Sequence, residues 1–556
     1  MLVQLWSLAK GCQKGVGGKT PVELRLSGPD QGGLCGKTHG LSVNRGTLCI
    51  ATKCFAEPVC APSHSGDGCA AGTFQGRNRR WLQAFAGSLS VPVEREFDVV
   101  VIGAGPAGEV AAGRLATRGG RKVAIVERDL VGGECSFYAC MPSKALLRPV
   151  ELLNEVARVP GVAEAVTGAL DVSAILARRD EVVNNLDDSH QLPWLEDRGI
   201  SLFRGSARLR GERQVSVGED LLIAREAVIL APGSTALLPP VPGLAEAHAW
   251  SNREITTAKE VPPRLTIFGG GVVGVEMAQA WAAFGSDVTV IEPQATLLAN
   301  EEPFAAELVA KGLQSAGVQL RLGAKAVEVT KDGEEFVIEL DGGGTLTADR
   351  LLVAVGRKPL TAGLGLEQFG LQDGGWVHVD DHLQVPNIPW LYAVGDVNAR
   401  SLLTHAGKYQ ARIAADHILG ELAATASADG PGSPRVIFTD PQVAAVGMTL
   451  AAARDAGLPA VAIDLPTGSS AGASFIGRGS DATSRFVVDH ERETLLGVTL
   501  VGPEVAESLQ AATIAVSAQV PLPKLAHAIA PFPTRSELWL SFLEKYERDQ
   551  GVSLHR

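Results

Sequence analysis

Beyond Cys69 this sequence of 556 residues is almost without cysteine: only Cys135 and Cys140 follow. So thin a supply excludes a disulfide-stapled scaffold. A lone close pair in a large body suits redox chemistry in a reducing compartment better than structural cross-linking. There is no Cys-x-x-Cys, and the spacings of Cys49, Cys54, Cys60 and Cys69 are poor for a zinc site. No metal site is expected. No apolar run approaches the roughly 18 to 20 residues of a membrane-spanning helix. Excess positive charge is also missing. The net charge is −12, which argues against broad affinity for nucleic acid or an anionic membrane. Hydrophobic residues at 46% and charged residues at 20% are ordinary for a soluble globular chain with room for three or four domains.

The charge is unevenly spread. Up to Ser90 there are ten Lys and Arg against four Asp and Glu, so the net splits into +6 there and −18 after it. Residues 1–95 are rich in Gly, Ser and Pro, hold six of the eight cysteines and show no sustained helical or strand period. Weak order is expected. Three readings compete for this extension: a targeting presequence carrying Arg77-Asn-Arg-Arg80, a start assigned too far upstream, or a metal-binding appendage, the weakest of the three. A cytoplasmic location is expected, or an organelle if the presequence is real.

The body opens with a buried-type strand, Phe97 to Ile102, running into Gly103-Ala-Gly105-Pro-Ala-Gly108. A helix to about Gly119 and a strand from Val123 to Glu127 complete a βαβ unit. Gly103 permits the tight turn, Gly105 lets a pyrophosphate approach the backbone, and Gly108 lets helix and strand close together. Glu127 can accept hydrogen bonds from ribose hydroxyls. The unit recurs as Leu265 to Phe268, Gly269-Gly-Gly271-Val-Val-Gly274, a helix to about Phe284, and Val288 to Glu292. One such turn is weak evidence; two in order, each ending in an acid, are strong. Between and after them come Val228-Ile-Leu-Ala-Pro-Gly233-Ser234, Leu351-Leu-Val-Ala-Val-Gly356-Arg357 and Leu391-Tyr-Ala-Val-Gly-Asp396. Ala423 to Pro434 reads as a linker.

Cys135 and Cys140 lie in Gly-Gly-Glu-Cys-Ser-Phe-Tyr-Ala-Cys-Met-Pro-Ser-Lys144. Five residues of ideal helix turn through about 500°, so the pair cannot share a helical face and must sit on a distorted first turn. Phe137 and Tyr138 either pack in the core or narrow access to the sulfurs.

From Glu96 to about Asp549 the chain resembles the flavin-dependent pyridine nucleotide–disulfide oxidoreductases, the family of dihydrolipoyl dehydrogenase and mercuric reductase. The cysteine motif, Val-Gly-Asp396 and Phe438-Thr-Asp-Pro-Gln-Val-Ala-Ala-Val-Gly447 carry the likeness. The resemblance implies an α/β fold with two Rossmann-type domains, for FAD and NAD, and a C-terminal α+β dimerisation domain. The expected boundaries are 96–255 and 371–430 for FAD, 256–370 for NAD and 431–556 for dimerisation. It implies FAD contacts from Gly103, Gly105, Gly108, Glu127, Lys144, Ala207, Gly233, Ser234, Asp396 and His405. Gly269, Gly271, Gly274, Glu292 and Gly356 would serve the nicotinamide dinucleotide. Glu292 would repel a 2′-phosphate, so NADH is expected over NADPH. Cys135 would be the interchange thiol and Cys140 the flavin-side thiol, with Lys144 paired to Glu276.

One departure matters. Members that reduce small disulfides carry a His-Pro near the C-terminus, followed by a Glu. Here the run is Ala530-Pro-Phe532-Pro-Thr-Arg-Ser-Glu537. Glu537 remains, while Phe532 stands in place of the base, and His527 is a poor substitute. Losing a general base costs about 10² to 10⁴ in rate. No cysteine follows Cys140, which weakens a mercuric reductase reading. The expected enzyme is a homodimeric, dihydrolipoyl dehydrogenase-like disulfide reductase. A quinone or other acceptor reductase, or a mercuric reductase-like enzyme, is the alternative.

Overall fold

The computed structural model describes residues 38–44, 47–53, 94–421, 427–430, 432–479 and 482–555. In the N-terminal unit the described part is an antiparallel strand pair, Thr38–Asn44 and Thr47–Lys53, closing at Asn44 opposite Thr47. The sequence reading expected no strand there, because the apolar alternation is only two residues deep on each side. The presequence, upstream-start and metal-binding expectations otherwise lie outside the described residues.

The body, Ser90–Arg556, is one compact unit. Its first sheet runs Gln384–Val385, Ile388–Ala393, Asp220–Leu230, Glu94–Ile102, Val123–Glu127, Ser201–Arg204. The last five are parallel, and a hairpin, Ala207–Gly211 with Gln214–Val217, adds to Asp220–Leu230. Val99, Val100 and Val101 are fully buried because both sheet faces are covered, which is why this strand reads as an apolar run. The strand starts at Glu94, before that run. Its first residues pair with the neighbouring strand, Glu94 opposite Leu221, and Glu96 accepts from Arg225 at 2.6 Å.

A second parallel sheet has the order Gln319–Leu322, Asp287–Glu292, Arg264–Phe268, Arg350–Val353. The helix Val272–Ala283 on it is apolar nearly all round and buries Trp281 completely. A three-stranded antiparallel sheet, Ala326–Asp332, Glu335–Leu340 and Thr345–Ala348, lies beside it. These two parallel cores are the expected nucleotide-binding architecture.

The C-terminal sheet is antiparallel, ordered Arg435–Ile437, Gln442–Gly447, Thr494–Gly502, Thr483–Asp489, Ala460–Pro466. Helices Leu509–Ser517 and Leu538–Gln550 pack on it, with Phe486 and Phe542 stacked at 4.1 Å. In the stretch expected to be a linker, Asp429 is fully buried against Arg400 and Gln410. An acidic residue among Ala, Ser and Gly gave no sign of that long-range pairing. Among the described residues no helix is long and apolar enough to cross a membrane.

Candidate active site

The two glycine turns are built alike. A β-carbon on Gly108 would sit 1.9 Å from the Gly103 carbonyl oxygen, and one on Gly274 2.0 Å from that of Gly269. Gly103 and Gly269 have φ of +105° and +106°, where a side chain is strained. The two acids also do the same local work. Glu127 accepts from the Ala104 N–H at 2.7 Å and the Asp129 N–H at 2.8 Å. Glu292 accepts from the Gly270 N–H at 2.7 Å and the Gln294 N–H at 2.8 Å. Each carboxylate therefore braces its own turn. A β-carbon on Gly271 would meet nothing within 4 Å, and one on Gly105 only Gly133 Cα at 4.0 Å. This open backbone at a helix start is what a pyrophosphate needs. The residues present fit two dinucleotides.

The cysteine loop docks on the first turn. A β-carbon on Gly133 would lie 2.8 Å from Gly105 Cα, and the Gly132 N–H donates to the Ala104 carbonyl at 2.7 Å. Cys135 sits in a short helix, Gly133–Phe137, and Cys140 opens the long helix Cys140–Arg158. Between them Ala139 takes φ −136° and ψ −95°. That break brings together two sulfurs that a continuous helix would separate. Both thiols are free and half-buried. Cys140 Sγ lies 3.4 Å from Thr404 Oγ1, at the start of helix Thr404–Ile418. The Cys140 thiol is pulled down to about 6, first by its hydrogen bond with Cys135 and then, against burial, by Thr404 and Lys144. Cys135 is pushed up by that same bond and by burial.

Lys144 Nζ pairs with Glu276 at 2.7 Å and lies 4.8 Å from the Phe438 ring centre. Glu276 is almost fully buried and also accepts the Phe438 N–H at 3.0 Å. Ser234 Oγ donates to Asp396 at 2.5 Å. Burial raises the Asp396 carboxyl above its ordinary value against the pull of Ser234 and Arg357. Gly233, at φ +77°, precedes that serine, and Gly356, at φ +142°, accepts from the Leu237 N–H at 2.9 Å. Ala207 is buried in the core of the first sheet. His405 is exposed, with Nε2 2.6 Å from the Pro434 carbonyl oxygen.

Sequence reasoning missed the grip on the cysteine loop. Arg357 donates to Glu134 at 2.5 Å and to Ser234 Oγ at 2.5 Å. Arg253 donates to Glu134 at 3.0 Å and lies 4.3 Å over the Tyr138 ring. Asn252 and Thr256 donate to the Tyr138 carbonyl at 3.0 and 3.1 Å. The available signal was Glu134 itself, a charge set between Gly133 and Cys135. Phe137 is buried in the core, so it does not gate access.

At the C-terminus Phe532 is 75% exposed. Glu537 Oε2 is buried and without a hydrogen-bond partner among the described residues. His527 is exposed, its ring against His555 at 5.6 Å.

Residues 97–417 match a family profile described as pyridine nucleotide-disulphide oxidoreductase, and residues 433–541 match that family's dimerisation domain. The chain is 33% identical over 471 residues to a dihydrolipoyl dehydrogenase of Haloferax volcanii, covering 82% of this chain and 97% of the relative. It is 30% identical over 449 residues to a mercuric reductase of Staphylococcus aureus, covering 80% and 81%. Among solved structures it is similar to the HOCl-induced flavoprotein disulfide reductase RclA from Escherichia coli. There the TM-score is 0.71 at 26% identity, over 81% of this chain and 99% of that one. FAD and a pyridine nucleotide are the cofactors this family employs. By sequence, fold and cysteine motif the chain belongs to the pyridine nucleotide-disulphide oxidoreductase family.

Proposed function

We propose that this protein is a homodimeric, NADH-dependent, dihydrolipoyl dehydrogenase-like reductase that works through the Cys135–Cys140 pair. The observation that carries the reading is the break at Ala139, which brings the Cys135 and Cys140 sulfurs together at the start of helix Cys140–Arg158, with Cys140 Sγ 3.4 Å from Thr404 Oγ1. The hydrogen bond between the two thiols, then Thr404 and Lys144, draw Cys140 toward the thiolate, while that same bond and burial push Cys135 toward the thiol. That division suits an outer thiol that exchanges with a substrate disulfide and an inner one that stays with the cofactor.

Gly103, Gly105, Gly108, Glu127, Ser234 and Asp396 would hold FAD. Gly269, Gly271, Gly274 and Glu292 would hold the pyridine nucleotide. FAD supplies the two-electron relay between that nucleotide and the cysteine pair. Lys144 neutralises charge beside Cys140, with Glu276 fixing its position. Glu292 presents a carboxylate where a 2′-phosphate would have to sit, which supports NADH. The exposed Phe475, Ile514 and Phe532 of the C-terminal domain support a dimer contact there.

The test is site-resolved thiol labelling. Anaerobic NADH should make Cys135 and Cys140 alkylatable in the oxidised protein, and Cys135→Ser should abolish turnover with a small disulfide. Full NADH-dependent turnover in Cys135→Ser would end the disulfide route. A second reading, a quinone reductase, is favoured by Phe532, which removes the usual base and exposes an aromatic ring instead. It predicts turnover without either cysteine.

A further inference from the structure

We propose that Asn252 and Arg253, consecutive residues remote in sequence from the cysteines, are positioning residues of the redox reaction. They hold the segment from Glu134 to Tyr138 so that Cys135 stays within bonding reach of Cys140. This rests on the disulfide route above.

The segment between the cysteines cannot hold itself. Helix Gly133–Phe137 has five residues, too few to be stable alone, and Gly132 before it supplies no side-chain cap. In a continuous helix the Tyr138 carbonyl would accept from the N–H of residue 142. That residue is Pro142, which has no N–H. The break at Ala139 thus leaves the Tyr138 carbonyl in need of a partner from elsewhere in the chain.

Asn252, only 6% exposed, is that partner. Its amide nitrogen donates to the Tyr138 carbonyl at 3.0 Å and to Glu134 Oε2 at 3.3 Å, one hydrogen to each. Its amide oxygen faces Arg357 Nη1 at 3.5 Å, so acceptors on one side and a donor on the other fix which way the amide points. One side chain therefore ties the residue before Cys135 to the second residue before Cys140. Arg253 takes the other oxygen of Glu134 at 3.0 Å and lies 4.3 Å from the centre of the Tyr138 ring. Both residues open helix Asn252–Thr257. Ser251 and Glu254 form a capping box at its start, and the fully buried Arg179 donates to its Thr256 carbonyl. Neither Asn252 nor Arg253 is one of the residues assigned above to a cofactor.

The consequence is a shifted equilibrium. Forming the Cys135–Cys140 bond takes two electrons and two protons from the thiols. Reduced dithiothreitol returns both and becomes its own cyclic disulfide. The protein disulfide is favoured in proportion to the effective concentration of one sulfur at the other, which a held loop raises. A side chain that only stabilises the fold supports oxidised and reduced protein alike and leaves this equilibrium where it is. A side chain that positions Cys135 supports the oxidised protein more.

The experiment equilibrates FAD-loaded protein anaerobically with mixtures of reduced and oxidised dithiothreitol, quenches in acid, alkylates, and reads the Cys135–Cys140 disulfide by mass spectrometry. Asn252→Ala should lower the ratio of reduced to oxidised dithiothreitol at half-reduction about tenfold, and Arg253→Leu about threefold. The denaturant midpoint should fall further in the oxidised than in the reduced variants. Arg253→Leu carries the same readout if Asn252→Ala fails to fold or retain FAD. A half-reduction ratio equal to or above that of the natural protein in either folded variant overturns the proposal. Full turnover with a small disulfide in Cys135→Ser overturns the disulfide route itself, which separates the two failures.

Discussion

Arg357 is bonded to Glu134 at 2.5 Å across 223 residues of sequence. The bond joins the first residue of the short strand Arg357–Pro359, paired with Ser234–Ala236, to the carboxylate next to Cys135. Arg253 holds the same carboxylate from the helix Asn252–Thr257, which Arg179 ties down through the Thr256 and Ala258 carbonyls. The cysteine loop is thus gripped by groups remote from it in the chain.

Arg357→Leu should therefore destabilise the protein by about 2 to 4 kcal/mol, because Glu134 would stay largely buried with one partner fewer. Arg253 is more exposed, and Arg253→Leu should cost about 1 kcal/mol. Denaturant midpoints would rank the two. A larger loss for Arg253→Leu would show that the grip is not organised around Arg357.

Gly274→Ala should not fold normally, since the added carbon would meet a carbonyl oxygen at 2.0 Å. Gly271→Ala meets no protein atom and should leave thermal stability unchanged. It should still raise KM for NADH about tenfold by occupying the pyrophosphate approach. Equal KM values in Gly271→Ala and the natural protein would move the nucleotide elsewhere.

The Cys140 thiol lies near 6 in the folded, reduced protein against 9.0 for an unperturbed thiol. A lowered value stabilises the fold where the thiolate is charged. The contribution is complete above about 9 and is lost as pH falls through about 6. Above 9 the raised Cys135 acts in reverse, because the unfolded chain ionises there and the buried thiol does not. Reduced protein should therefore gain stability from pH 6 to pH 9, and Cys140→Ser should lose that rise. Denaturant titrations across this range decide it; a flat profile in the natural protein would contradict the thiolate assignment.

Glu292→Gln keeps an acceptor for the Gly270 N–H but removes the negative charge. The ratio of kcat/KM for NADH over NADPH should fall about tenfold. No change in the ratio would show that the carboxylate does not set the preference.

Both nucleotide folds were legible because a βαβ unit writes its demands locally. Gly108 and Gly274 are forced by contacts within six residues, and Glu127 and Glu292 stand at the ends of their strands. The distorted turn between the cysteines was legible too, since five residues of helix cannot bring two sulfurs together. The buried Asp429 was not. Its partners, Arg400 and Gln410, are more than fifteen residues away and follow no local period.

The sequence by itself determined the nucleotide turns, the cysteine pair and the absence of a base at Phe532, because each depends on residue type at fixed spacing. Tertiary structure alone brought Thr404, 264 residues along the chain, to the Cys140 sulfur. It also decided that Arg357 grips Glu134. Electrostatic neighbourhood depends on distance in space, and the separation of two residues along the chain does not reveal it.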